Sequence, residues 1–345
     1  MKKKVMIISF FLAAVFIFGF FTGCGRFVGA ESYESIMINS LLELERLPQI
    51  ISAERVTEAQ ILEAHEWYPY SWFSRQYQYG DFSNLVVYEI IYETADGAQV
   101  LGFIVAPADY LENEYQYPVL IRNRGLVNLQ GAAPPFAANR LIVRGVPFAN
   151  AGYITMLTFH RDGRVHVEGE KYDQIGGDDL YDIIALMDLS EHFGFKAPGL
   201  FMAGESLGGM KTLMILKEDE RIDGAVVFAA MGDFEEYYLS QIALGGNAAW
   251  QMGRLAAAIG GNLDEAPEKY IARSAVNWAD EIDTPLLLIH GSLDDTVPVS
   301  HSKRIYDKMR AAGRDVELKI YEDLGHSVFY YEGAIEYAID WLRSR

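Results

Sequence analysis

The chain has 345 residues, of which 50% are hydrophobic and 22% charged; that is enough apolar material for one large core and excludes an intrinsically disordered protein. Asp and Glu (48) outnumber Lys and Arg (29), and the formal charge of −19 repels phosphate backbones and anionic lipid surfaces, so nucleic acid is excluded as a partner. Cys24 is the single cysteine and cannot close an intramolecular disulfide, so the fold must rest on its core.

Lys2, Lys3 and Lys4 precede an uncharged, mostly apolar run from Val5 to Phe21, the layout of an export signal. Phe21-Thr22-Gly23-Cys24 follows and resembles the lipobox of bacterial lipoproteins, in which the cysteine is acylated and becomes the mature N-terminus. The expectation is a signal peptide over residues 1–23 and lipid attachment at Cys24; the rival is an uncleaved helical anchor. Both leave the chain outside the cytoplasm and tethered to a membrane, and two or more acyl chains hold it there stably at ~0.8 kcal/mol per buried CH₂.

Residues 24–84 read as a helical, aromatic-rich extension, with Thr57 and Gln60 spaced as a capping box ahead of Ile61-Leu62. Trp67, Tyr68, Tyr70, Trp72, Phe73 and Tyr77 are assigned to packing of this extension rather than to a substrate groove. From Leu85 the pattern changes. Leu85 to Tyr92, the turn Ala95-Asp96-Gly97 and Val100 to Val105 make a hairpin. Strands are then expected at Val119 to Arg122, Tyr153 to Thr158, Leu200 to Ala203, Ala225 to Ala229, Leu286 to His290 and Glu317 to Tyr321. Helices are expected at Asp179 to Glu191, Leu207 to Leu216, Ser300 to Ala312 and Gly333 to Arg343. Short continuous apolar strands alternating with helices indicate an α/β fold, a mostly parallel doubly wound sheet with helices on both faces. Its site belongs at the carboxyl ends of the strands. Glu235 to Asp280 interrupts the alternation with helical, Gly- and Ala-rich sequence suited to a small cap over that site.

Gly204-Glu205-Ser206-Leu207-Gly208 matches the G-x-S-x-G elbow, whose glycines let a strand turn sharply into a helix. Five residues alone are a weak signal. The apolar strand before them and the helix after them supply the context the motif needs. Ser206 then points a hydroxyl into the site, with the Leu207 N–H facing a developing oxyanion. A second donor is expected from Gly125-Leu126, in the loop after the Val119 strand.

A serine hydroxyl needs a base and an orienting acid, which follow it in the chain in this fold. Only His290, His301 and His326 lie beyond Ser206. His326 follows Gly325 in a loop after a strand and is the expected base; His290 ends an apolar strand and reads as buried and structural, and His301, at a helix start, reads as surface. The acid is Asp294 or Asp295, in the loop that continues the Leu286 strand; spacing alone does not choose. Glu205 either tunes the site or faces solvent. His160 and His166, with Asp162 and Glu168, fit no standard ligand pattern, so a solvated loop and no metal are expected.

These residues resemble the catalytic domain of the prolyl-oligopeptidase family of serine peptidases, within the α/β-hydrolase superfamily. The likeness covers roughly residues 85–345. It is carried by Tyr117-Pro118-Val119, Asn123-Arg124-Gly125, Gly176-Gly177-Asp178-Asp179 with Asp182, Gly204 to Gly209, His290-Gly291 with Asp294-Asp295 and Val297-Pro298, and Gly325-His326. The resemblance implies a Ser206, Asp294, His326 triad acting through an acyl-enzyme without a cofactor, because the first acid of the His-Gly-x-x-Asp-Asp run is catalytic in relatives. Two departures are expected: the roughly 60 residues between Cys24 and the likeness leave no room for the large β-propeller of the best-known members, and the glycine pair of the oxyanion loop is reduced to Gly125-Leu126. The implied substrate is a small peptide, with a carboxylic ester as the alternative; a binding lipoprotein that keeps the fold without the reaction is the expectation from another class.

Overall fold

A computed structural model describes residues 50–61, 81–110, 117–125, 134–161, 174–192 and 198–345. The export signal, Cys24, the aromatic run from Trp67 to Tyr77, Leu126, Asp162, His166 and Glu168 lie outside the described residues.

Among the described residues, nine strands form one sheet in the order β1-β2-β3-β5-β4-β6-β7-β8-β9. β1 (Ile50–Arg55), β2 (Leu85–Glu93) and β3 (Gln99–Pro107) pair antiparallel, as does β3 with β5 (Ile154–Thr158). From β5 onward, β4 (Val119–Asn123), β6 (Leu200–Glu205), β7 (Gly224–Phe228), β8 (Leu286–Gly291) and β9 (Val316–Tyr321) run parallel. The β2–β3 hairpin turns through Ala95-Asp96-Gly97 with Gly97 at φ +76°, a conformation glycine adopts without a Cβ penalty.

Successive side chains of a buried strand point to opposite faces, and β8 shows it: Leu286 and Leu288 enter one core, Leu287 and Ile289 the other. The first face is covered by α2 (Leu180–His192), α3 (Leu207–Glu218) and α7 (Ser300–Ala311), the second by α1 (Pro134–Asn150) and α8 (Glu332–Arg343). Between β7 and β8 the chain inserts α4 (Phe234–Leu244), α5 (Gly246–Ile259) and α6 (Pro267–Arg273). Their seam is an aromatic cluster of Phe234, Tyr237, Tyr238 and Tyr270. Arg273 ties the insertion to the main body by donating to the Ile175 and Gln174 carbonyls at 2.6 and 3.0 Å.

Two stretches differ from the sequence reading. Ile50–Arg55, read as part of a helical extension, is a strand: pairing with β2 satisfies backbone groups that β2 would otherwise expose at the sheet edge. α1 escaped notice because Pro147 sits inside it, where a proline usually ends a helix. The capping box forms as spaced, Thr57 N–H donating to Gln60 Oε1 at 2.8 Å and Gln60 N–H to Thr57 Oγ1 at 3.3 Å.

Candidate active site

The strand order reverses around β4, with β5 on one side and β6 on the other, so the loops leaving β4 and β6 diverge and open a crevice between them. Ser206 stands at that point. It leaves β6 at φ 53°, ψ −119°, outside the regions open to ordinary L residues, which costs of order 1–3 kcal/mol and is held by its surroundings. Ser206 N–H donates to Phe228 O at 2.9 Å, and its carbonyl accepts from Met210 and Met231 at 3.1 and 3.2 Å. The turn is so tight that a Cβ at Gly204 would collide with the Gly208 carbonyl, and one at Gly208 with the Asn123 and Arg124 carbonyls. α3 then begins at Leu207, whose N–H is among the free donors of its first turn.

His326 opens a short 3-10 turn (His326–Tyr330) after β9. Its Nε2 lies 3.0 Å from Ser206 Oγ and its Nδ1 2.8 Å from Asp294 Oδ2. A carboxylate only accepts, so Nδ1 carries the proton of the neutral ring and Nε2 is left to accept the serine hydroxyl. Asp294 is buried beyond β8; its Oδ1 accepts from the N–H groups of Thr296 and Val297 at 2.9 and 2.8 Å. Burial alone would raise its pKa, yet hydrogen bonds from His290 and His326 outweigh it and hold the carboxyl well below the usual range. Asp295, the other candidate acid, is exposed.

His290 is buried and structural, as expected. Its Nε2 faces two acceptors, Val297 O at 2.9 Å and Asp294 Oδ2 at 3.1 Å, so that nitrogen is protonated and Nδ1 accepts from Ser302 Oγ at 2.7 Å. His301 corrects the sequence reading: it is fully buried, with Nδ1 accepting the Asp233 N–H at 3.3 Å, because α7 packs its first turn onto the sheet. His160 is likewise buried at 3% exposure instead of lying in a solvated loop. Burial and the nearby Lys211 and Arg124 charges keep it neutral.

A second correction concerns the oxyanion loop. Gly125 N–H donates to Glu205 Oε1 at 3.1 Å and is therefore not free to meet an oxyanion. Of the two residues expected there, Leu126 lies outside the described residues. Glu205 itself faces the interior, not solvent. Asp179, in the Gly-Gly-Asp-Asp run, is structural: it accepts from Gln174, Gly176 and Gly177 N–H groups and pairs with Lys211 at 2.7 Å. Asp182 receives Arg161 through two nitrogens, at 2.8 and 2.6 Å. Among the described residues no group of three or more His, Cys, Asp or Glu side chains converges as a metal would need.

Comparison with known proteins agrees with this geometry. The chain is 25% identical over 246 residues to the uncharacterized peptidase YuxL of Bacillus subtilis, covering 70% of this chain and 35% of that one. It is 26% identical over 242 residues to the uncharacterized peptidase YtmA of the same organism, covering 70% of this chain and 86% of that one. The fold is shared with the Pyrococcus furiosus esterase Pf2001 at a TM-score of 0.53 and 19% identity, over 74% of this chain and 91% of the esterase. The chain thus spans about a third of one curated relative and most of another. The pattern of the Prolyl oligopeptidase family matches residues 147–343, more than half of the sequence, from the end of α1 to the last helix. The chain belongs to the prolyl oligopeptidase family of serine hydrolases, on an α/β-hydrolase fold.

Proposed function

We propose that the protein hydrolyses small peptides by acyl transfer, with Ser206 as nucleophile, His326 as general base and acid, and Asp294 as the group that orients it. One observation carries the reading: three side chains far apart in sequence form a continuous hydrogen-bonded line, 3.0 Å from hydroxyl to imidazole and 2.8 Å from imidazole to carboxylate. Ser206 Oγ attacks the carbonyl carbon while its proton passes to His326 Nε2. The imidazolium formed is stabilised by Asp294, and the oxyanion by the Leu207 N–H at the positive end of α3. His326 then protonates the leaving group. Water, deprotonated by the same nitrogen, releases the acyl group and restores the serine.

A folded Ser206→Ala variant should lose turnover and labelling by a fluorophosphonate probe, by about 10³-fold or more. Wild type that is folded and fails to label would favour a binding protein instead. The same side chains also cleave esters, so bond type needs substrates: aminoacyl and prolyl anilides beside p-nitrophenyl esters. Fast ester turnover with no anilide turnover would make the enzyme a carboxylesterase. The helical insertion is read as the cap of this site, on the support that Met231, just ahead of it, bonds the Ser206 carbonyl.

The proposed location is outside the cytoplasm, held by a lipid on Cys24, on the support of the charged and apolar leader that ends at that cysteine. Radiolabelled fatty acid should appear on wild type and vanish with Cys24→Ala. Membrane attachment that persists without label would point to the helical anchor.

A further inference from the structure

Glu205, one residue before Ser206, is buried to 1% exposure, and it is ionised there. Burial pushes its carboxyl pKa up, but the Arg122 and Arg144 guanidinium groups on either side bring it below its ordinary value. Arg122 reaches it from β4 and Arg144 from α1. The carboxylate uses Oε1 for a third contact, the 3.1 Å hydrogen bond from Gly125 N–H. Gly125 in turn rests on the elbow: a Cβ there would stand 3.2 Å from Ser206 Cβ.

Arg144 uses its fork on two loops. One amino group meets Glu205, the other the Tyr330 hydroxyl, at the far end of the 3-10 turn that begins with His326. Its guanidinium carbon also lies 5.6 Å from the Phe329 ring centre and 5.4 Å from that of Tyr330, within cation–π range. Phe329 completes the path by standing edge-on to the His326 ring at 6.0 Å. A second line of contacts therefore runs from Gly125 through Glu205 and Arg144 to the His326 turn. It is separate from the Ser206, His326, Asp294 line and shares with it the Ser206 elbow and the His326 turn.

We infer that Glu205 and Arg144 are positioning residues of the hydrolytic site: together they set the Gly125 loop and the His326 turn relative to Ser206. The inference rests on the assignment of Ser206 and His326 above. A planar fork is needed at 144, because lysine offers a point charge and cannot hold a carboxylate and a hydroxyl on two fixed nitrogens. A carboxylate is needed at 205, because an amide would turn an N–H₂ toward a guanidinium. Displacement of the His326 turn or the Gly125 loop by an ångström is enough to slow the chemical step by about 100-fold without changing what holds the substrate.

The test is steady-state kinetics of Glu205→Gln, Arg144→Lys and Tyr330→Phe, with active sites counted by the fluorophosphonate probe and folding followed by thermal melts. Glu205→Gln and Arg144→Lys should lower kcat by about 10- to 100-fold and leave KM within about twofold. Tyr330→Phe, which removes one oxygen from a half-buried side chain and so keeps the fold, should lower kcat by about 3- to 10-fold. That loss should disappear in the Arg144→Lys background, since the hydroxyl acts through the arginine. Wild-type kcat per active site in Tyr330→Phe, or losses that multiply in the double variant, would overturn the inference, as would melting temperatures that fall while kcat per site stays. Ser206→Ala separates the two readings: if it stays active, the assignment of the nucleophile fails; if it is inactive and the other variants turn over normally, only this inference fails.

Discussion

Asp294 serves two imidazoles with one oxygen, Oδ2, while Oδ1 is taken by the two backbone donors of its own turn. That division makes its charge and its orientation separable. Asp294→Asn keeps the shape but offers either an N–H₂ or a weaker acceptor to His326 Nδ1, so the tautomer that leaves Nε2 open to Ser206 is no longer favoured. The expected outcome is a fall in kcat/KM of about 10³- to 10⁴-fold with the probe-labelling rate falling in step. Asp295→Asn, at an exposed side chain outside this network, should turn over like wild type. Equal losses in the two variants would show that the acid has been misassigned. The choice between these neighbours rested on family resemblance; burial and the hydrogen bonds distinguish them directly.

At the scale of elements, the insertion depends on how α4 begins. Asp233 caps it, accepting the Glu236 N–H at 2.9 Å, and also pairs with Arg304 of α7 at 2.6 Å. Asp233→Ala leaves that N–H unpaired and should destabilise the protein by about 1–2 kcal/mol, read as a lower urea midpoint, with probe labelling at 25 °C retained. A midpoint equal to that of wild type would mean that the cap is replaced by water at no cost. The strands from β2 onward and four of the helices were legible because their apolar pattern has one period each. α1 was not, because its sequence carries helix-ending residues and becomes helical by packing Leu141, Ile142 and Val146 on the sheet. β1 was not, because an edge strand of mixed polarity is defined by its partner.

For the whole molecule, the buried histidines set a pH dependence. His301 is lowered from 6.5 to about 4, first by burial, and His160 is also held well below its ordinary value, first by burial and then by nearby cations. The folded chain keeps both neutral while the unfolded chain protonates them, so the unfolded state binds more protons as the pH drops. The contribution of these two histidines is therefore full above about pH 6.5 and is lost as the pH falls toward 4, on the order of 3 kcal/mol for His301, while Asp182, raised to about 7 chiefly by burial, works in the opposite sense over the same range. Asp294 and Glu205, held below their ordinary values, add a further loss once the pH falls through the carboxylate range. Urea midpoints measured between pH 8 and 4.5 report the net effect. His301→Asn, whose side-chain oxygen can take over from Nδ1 as acceptor, should lose less stability than wild type as the pH falls; a slope unchanged in that variant would remove His301 from the account.

Periodicity and the G-x-S-x-G context were sufficient for the α/β class, the succession of strands from β2 onward and the choice of Ser206 and His326, since each of these is written in local pattern: alternation, turn residues, a glycine-flanked serine. Contacts between distant segments had no such trace. That Glu205 faces inward between two arginines and that Gly125 N–H is already taken follow from which loops the crossing order of β4, β5 and β6 brings together, and the burial of His160 and His301 from segments distant in the chain that pack over them. A side chain's environment is made by its neighbours in space, and for these residues almost all of them come from elsewhere in the chain.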